Sequence, residues 1–391
     1  MASKYYDYIF LGAGCASLSV LMRMIDSNSF LEKKILLIDK ENKTRNDRTW
    51  CFWEQGQGFF EDIVYRKWNE VLFKATDDET IALEMNHYQY KMIRGLDFYN
   101  YCFSEIHLHK NIEIIYGEIS FLETGELPGI KVNGEFLSCG KETVVFNSLY
   151  IPPKKQKNKF YLLQHFKGWI VESENDFFNP IQATLMDFRV EQINGTTFVY
   201  VLPLSSTKAL IEYTLFSENI LLKDEYEKAL KLYVGEYLGL NNYRITEEEF
   251  GVIPMTNENF PYFKNGMYFI GTAGGQTKAS TGYTFRFIQK QADKIVCELI
   301  SKGSPSKKNM LKMRFFFYDS TLLHILSKKL LDGKLIFSTL FKKNKAADIF
   351  KFLDNESTVT EEIKLINSLP KQAFIKAGFS EFIKMVFKNY I

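Results

Sequence analysis

The first forty residues constrain this chain more than any other stretch. "YYDYIFL" (5–11) is an apolar, aromatic run of strand length, and "GAGCAS" (12–17) follows it at once. "LSVLMRMI" (18–25) has helical spacing, and "KKILLIDK" (33–40) is a second apolar run ending near Asp39. Strand, glycine turn, helix and strand in that order make a βαβ unit, and strands this apolar must be covered on both faces. The chain is thereby committed to an α/β layer. Gly12, Ala13 and Gly14 allow a tight turn and a close backbone approach to an anion, with a helix N-terminus behind them. Ser17 stands where the dinucleotide-binding pattern G-x-G-x-x-G has its third glycine, and it is small enough for helix–strand packing. Asp39, closing the second strand, is placed to accept hydrogen bonds from an adenosine ribose. Such glycines also occur in plain α/β turns; here the order of all five parts favours a dinucleotide.

A chain of 391 residues is long enough for two or three domains. Its net charge of +2 gives no general basis for binding nucleic acid, and none is expected as a partner. The 5 cysteines are scattered and form no C-x-x-C pair, which fits a reducing cytoplasm rather than a disulfide framework. No metal site is expected either; His107 and His109, two apart, read as a surface pair. The N-terminus lacks the form of a signal peptide, and no window is apolar enough to span a bilayer. The 35 Phe and 22 Tyr suit a large apolar ligand or, equally, an aromatic-rich core.

Beyond residue 50 strands and helices mix. "ATLMDFRV", "TTFVYVLPLS" and "KALIEYTLF" are strands with short turns between them, an antiparallel meander. The last carries Glu212 in the middle of two largely apolar faces, where an acid is costly unless paired, exposed or protonated. "GMYFIGTAGGQTKASTGYTFRFIQKQADKIVCELI" (266–300) reads strand, glycine loop, helix. In many flavoproteins such a late segment returns to the first domain. Gly271, Thr272 and Ala273 would then give close backbone contact to the pyrophosphate and ribityl chain of FAD, and Gly282 would begin the helix. The alternative is an ordinary helix-capping loop. From about 305 the pattern is helical, with Phe315, Tyr318, Leu322, Leu326 and Leu330 at helix spacing. Residues 301–350 hold 11 Lys/Arg against 3 Asp, which suits either a membrane-surface element or a solvated helical cap.

"YIFLGAGCASLS", "LLIDK", "DRTWCFW", "QHFKGW", "MDFR", "FVYVLPLSSTKALIEYT" and "GVIPMT…IGTAGGQTKASTGYTF" together resemble the lycopene cyclases, most like the bacterial β-cyclases. The resemblance implies an α/β (α+β) flavoprotein of the GR2 type. Its FAD-binding Rossmann-like domain would comprise 1–75, 91–160 and 261–304, and its antiparallel-sheet substrate domain 76–90 and 161–260. A helical C-terminal region, 305–391, would complete it and is a candidate for membrane contact. It implies an intramolecular lyase (an isomerase) that converts the ψ-ends of lycopene and other acyclic-end carotenoids into β-rings, giving γ-carotene and β-carotene. The family works with reduced FAD and no net redox change, and NAD(P)H is a candidate electron source. It takes its substrate from the membrane, which places the protein in the cytoplasm against the inner face of the cell membrane. The family's essential strand acid matches Glu212; its second acid is replaced by Tyr213, to which no role is carried. Arg48 in "NDRTW" and Arg94 in "MIRGLDFY" are secondary cofactor candidates, Arg94 because related flavoproteins place an arginine there.

The implied chemistry accounts for an acid in that strand. An alkene is a very weak base, so the group that protonates it must be neutral. An ordinary Glu ionises near about 4.3, and burial against apolar surface raises that value. Glu212 is therefore expected to be the general acid; the alternative is a carboxylate paired with Lys or Arg at a sheet edge. Asp187 of "MDFR" is expected to pair with Arg189 or to serve as a second pocket acid. Two other functions compete: a FAD-dependent reductase or monooxygenase acting on a polyprenyl or carotenoid substrate, and a carotenoid or lipid carrier without catalysis.

Overall fold

The computed structural model describes residues 5–76, 79–122, 128–308 and 313–386. The opening unit forms as its pattern predicts: strand β1 (Tyr8–Leu11), helix α1 (Cys15–Asp26) and strand β2 (Ile35–Asp39). Every residue of both strands is buried, as continuous apolar runs require. β1 lies between β2 and Val144–Asn147 in a parallel sheet, which Ile112–Tyr116 extends on one side and Met267–Phe269 on the other. The short strand Phe263–Lys264 closes it as an antiparallel edge.

The late helix returns to this layer. It runs Phe285–Lys302 with Thr284 as its N-cap, and it packs beside α1. Arg23 of α1 donates to Asp293 and, over 3.0 Å, to Gln289. Gly282 does not begin this helix. It lies in the preceding turn at φ +72°, a left-handed conformation that helix residues do not adopt, and its N–H donates to the Lys278 carbonyl at 2.8 Å.

A second sheet of 7 strands faces the first layer's loops. Its order is Tyr243–Thr256, Tyr161–Ser173, Lys208–Ser217, Thr196–Pro203, Gln182–Asp187, Glu70–Thr76, Glu79–Leu83. The expected meander supplies its middle, and two long strands extend it to the edge nearest Glu212. Glu70–Thr76 pairs parallel with Gln182–Asp187, so the chain enters this sheet already at Glu70. The two apolar faces of Lys208–Ser217 belong to different cores. Leu210 and Phe216 pack with the C-terminal helices, whereas Ala209, Ile211, Tyr213 and Leu215 pack against Tyr226 and Leu230 of helix Lys223–Leu232. A small sheet of Thr49–Gln55, Tyr88–Arg94 and Arg66–Trp68 bridges the layers. Its Phe52 and Ile93 enter the first core, and its Trp53, Trp68 and Tyr90 enter the second.

The C-terminal region is helical, as expected, and much of its aromatic surface is core. Phe341 stacks on Phe73 and Phe337 on Phe188, with ring centroids 4.7 and 5.9 Å apart; Phe350 stacks on Trp53 at 4.7 Å. The Phe315–Leu330 stripe also faces inward: Phe315 is 1% exposed, and Leu322, Leu326 and Leu330 pack on the core. The exposed apolar stripe lies instead on Lys371–Val386, where Ile375, Phe379, Phe382 and Val386 recur at helix spacing. Among the described residues no helix is long and apolar enough to cross a membrane.

Candidate active site

A cavity of about 730 Å³ lies between the first layer's glycine loops and the large sheet. On the loop side α1 starts without a side-chain cap, because its N-cap is Gly14. The first-turn amides therefore keep their donors for an anion. A Cβ built on Gly14 meets nothing within 4 Å, so the backbone there opens directly onto the cavity. Gly12, at φ +92°, turns the chain where a Cβ would strike Ser148 Oγ at 2.5 Å. Ala13 N–H donates to Asp39 Oδ2 at 2.6 Å, tying the loop to the end of β2. Asp39 also accepts from Glu41 N (3.2 Å) and Lys43 Nζ (3.0 Å).

The second glycine loop rests on the first. Gly271, at φ +61°, sits so close to α1 that a Cβ would lie 2.6 Å from Ala16 Cβ. Its N–H donates to Gln291 Oε1 at 2.9 Å. Gly12, Gly14, Asp39, Arg48, Gly271, Thr272, Gly282 and Glu212 all line the one cavity. Ala13, Ser17 and Ala273 are buried behind its wall, and Ser17 Oγ donates to Ser148 Oγ at 3.1 Å. Arg48 lines the cavity with a mostly exposed side chain beside Asp47. Arg94 stands apart: it forms a bidentate pair with Asp97 (2.7 and 2.9 Å) and stacks over the Tyr65 ring.

On the sheet side, Glu212 opens onto the cavity beside Cys51, Tyr90, Tyr200 and Tyr283. Its Oε1 accepts from Thr214 Oγ1 at 2.8 Å. No Lys, Arg or His pairs with it among the described residues, and its strand lies inside the sheet, so the edge ion pair does not form. Burial first, and then the charge of Glu249, raise the Glu212 carboxyl well above the ordinary range, against the lowering effect of Thr214. Burial likewise raises Cys51, Tyr90 and Tyr200, which leaves these neighbours uncharged at neutral pH.

Glu249 escapes a reading of the sequence. In "EEEFG" it looks like one of several solvated acids. The register singles it out: Gly168 pairs with Glu212 on one side and with Glu249 on the other. A glycine between them leaves a gap, and a Cβ there would lie 2.8 Å from Glu249 Cγ and 3.0 Å from its Oε1. The one available signal was Gly168 itself, since a glycine inside a strand often marks a close approach. Glu249 Oε2 accepts from Thr49 Oγ1 at 2.7 Å. Its carboxyl too is raised, first by burial. Asp187, by contrast, is a structural residue: it is fully buried and accepts from Arg189 and from Tyr233 Oη at 2.7 Å.

Residues 7–378 match the family described as "Lycopene cyclase protein". The chain belongs to the lycopene cyclase family. A curated relative, the lycopene beta-cyclase of Pantoea ananas, is 24% identical over 304 residues, 74% of each chain. Solved structures share the fold of this cyclase-family chain across nearly its whole length. A flavoprotein/dehydrogenase from Cytophaga hutchinsonii aligns with a TM-score of 0.62 at 10% identity, covering 98% of this chain and 100% of that one. A geranylgeranyl bacteriochlorophyll reductase-like protein from Thermoplasma acidophilum aligns at 0.58 and 12%, covering 100% of both. The p-nitrophenol 4-monooxygenase of Pseudomonas putida aligns at 0.56 and 10%, covering 99% and 98%. The architecture is therefore the Rossmann-like flavoprotein fold.

Proposed function

We propose that this cyclase-family chain is a lycopene β-cyclase that works by proton-initiated, redox-neutral ring closure with Glu212 as the general acid. One observation carries the reading: a carboxyl with no cationic partner among the described residues, walled by Tyr90, Tyr200 and Tyr283, shares a cavity with two glycine loops. Burial and the charge of Glu249 raise the Glu212 carboxyl well above the ordinary range, which favours its neutral, proton-donating form. It delivers that proton to the terminal alkene carbon of a ψ-end. A neighbouring double bond closes the ring, and loss of a ring proton gives the β-ring. One proton enters and one leaves, so no electrons are exchanged. The tyrosine rings offer the intermediate cation an attraction of about 0.5–2 kcal/mol each. Water has to be kept from the cation, which it would otherwise trap as an alcohol.

The loop end of the cavity fits FAD. The uncapped first turn of α1, the open space before Gly14 and the turn at Gly12 suit a pyrophosphate. Gly271, Thr272, Asp39 and Arg48 would hold the rest of the cofactor. Reduced FAD, bound there, supplies an electron-rich ring that stabilises positive charge; NAD(P)H would keep it reduced. The exposed stripe of Ile375, Phe379, Phe382 and Val386, with Lys371, Lys376 and Lys384 on the same helix, would dock a cytoplasmic protein on the inner membrane face, where its carotenoid resides.

The test is anaerobic incubation of lycopene liposomes with protein, FAD and reductant in D₂O. One deuterium per ring with no other mass gain, together with loss of product by Glu212→Gln, supports the cyclase. A gain of two hydrogens per bond, or of oxygen when air is admitted, would identify a reductase or a monooxygenase instead.

A further inference from the structure

Two carboxyl groups, not one, face the aromatic end of the cavity, and they meet over a gap. Glu212 and Glu249 lie on strands flanking Tyr161–Ser173, both opposite Gly168. A Cβ at 168 would press on Glu249 Cγ (2.8 Å) and on Glu249 Oε1 and Leu210 Cδ1 (both 3.0 Å), and the two carboxyl groups interact directly with each other. Their surroundings are distinct. Glu249 Oε2 accepts from Thr49 Oγ1 at 2.7 Å, a contact that favours its ionised form, and its Oε1 is buried on the Gly168 side without a hydrogen bond of good geometry. Cys51, Tyr90, Tyr200 and Tyr283 face Glu212 from the neighbouring elements, and Glu247 is the further charge acting on Glu249 from its own strand. No Lys, Arg or His forms an ion pair with either acid among the described residues.

We propose that Glu249 is the second half of a one-proton carboxyl pair with Glu212, and that this pair both lends and recovers the proton of ring closure. The inference rests on Glu212 being the acid. In the resting state Glu212 holds the proton and Glu249 is the anion; two adjacent carboxylates without a counterion resist losing that last proton. When the O–H bond of Glu212 breaks and a C–H bond forms on the polyene, the pair becomes a dianion facing a monocation. When the ring C–H bond breaks, its electrons form the ring double bond and its proton returns to the pair. The pair ends with the proton and charge it began with, and no oxidant or reductant is consumed. Glu249 is thus a positioning residue for the proton on Glu212, and Gly168 is the gap that lets the two interact.

The experiment compares wild type, Glu249→Gln, Glu249→Asp and Glu212→Gln as flavin-loaded proteins. The readouts are the pH dependence of cyclisation and infrared titration of the protonated carboxyl band, taken as difference spectra against Glu212→Gln. Removing the Glu249 charge is expected to move the loss of activity at high pH, and the midpoint of the band, downward by about one pH unit or more, a tenfold or greater loss of proton affinity. Glu249→Asp should restore part of the shift. An unmoved midpoint and profile in Glu249→Gln, with Glu212→Gln inactive, would overturn the pair while leaving the acid assignment in place. Cyclisation by Glu212→Gln at the wild-type rate would overturn the acid assignment itself. If Glu249→Gln does not fold, Glu249→Asp decides: a midpoint moved below the wild-type value supports the pair, and a midpoint at the wild-type value refutes it.

Discussion

Gly14→Ala separates a role in folding from a role in holding a ligand. Gly14 has φ −86° and ψ −178°, extended backbone that any residue adopts, and its added Cβ would meet no protein atom within 4 Å. The folded state should hardly notice the methyl. An alanine N-cap costs about 0.5–1 kcal/mol relative to glycine, and the stiffer unfolded chain returns about 0.4–1 kcal/mol. Stability without ligand should therefore stay within about 0.5 kcal/mol of wild type in urea unfolding. The space in front of Gly14 is where the pyrophosphate of FAD is proposed to lie. A methyl there acts as overpacking, which costs about 1–3 kcal/mol, or roughly 5- to 150-fold in affinity. Flavin fluorescence titration of the same preparations reads that loss. Wild-type affinity in a normally folded Gly14→Ala protein would refute the placement of the cofactor.

Gly271→Ala should behave in the opposite way: positive φ costs an alanine about 1–2 kcal/mol, and the clash with Ala16 Cβ adds to it, so urea unfolding without ligand should already show a loss of about 2–4 kcal/mol. Gly168→Ala keeps an ordinary backbone but pushes on Glu249 Cγ and on Leu210 Cδ1, 3.0 Å from the new methyl. It should cost at most about 2 kcal/mol in unfolding yet lower the cyclisation rate more than that loss explains. Lys91→Met removes a fully buried cation that donates to Glu54 Oε2 (3.1 Å) and Glu61 Oε2 (2.6 Å). Two carboxylates lose a buried partner, and urea unfolding should show a loss of about 3–5 kcal/mol. Burial alone would raise Glu61, but Lys67 and Lys91 hold it at about 2, so wild-type stability from this group persists above 4.5 and fades as pH falls toward 2; the variant should show a weaker fade. Glu212 has the opposite sign: its raised pKa gives stability that is full below 4.5 and is lost as pH rises through the folded value. Melting temperatures of Glu212→Gln should therefore gain on wild type as pH rises from acid to alkaline.

The parts of this molecule that rest on neighbours in the chain were legible in its residues. The buried runs of β1 and β2, the glycine turn between them, the meander and the helical tail are short-range patterns, and each formed where the pattern lay. Glu212 drew attention for the same reason, because an acid breaks the apolar alternation of its own strand. What the residues could not display was long-range register. Gly168 in "HFKGW" and Glu249 in "EEEFG" belong to separate stretches of sequence, and their meaning appears only when three strands align. The same holds for Arg94, which "MIRGLDFY" offers as a cofactor contact but which Asp97, one helical turn away, claims instead. It holds for the basic tail as well: helical spacing marked an apolar stripe from Phe315 to Leu330 but did not say which surface would cover it, and packing turned that stripe inward. Which segments become strands, turns and helices follows from the residues alone, because backbone conformation and apolar periodicity are local properties. Which acids share a space follows from the packing of distant strands, since burial and charge interaction depend on distances that the order of residues does not set.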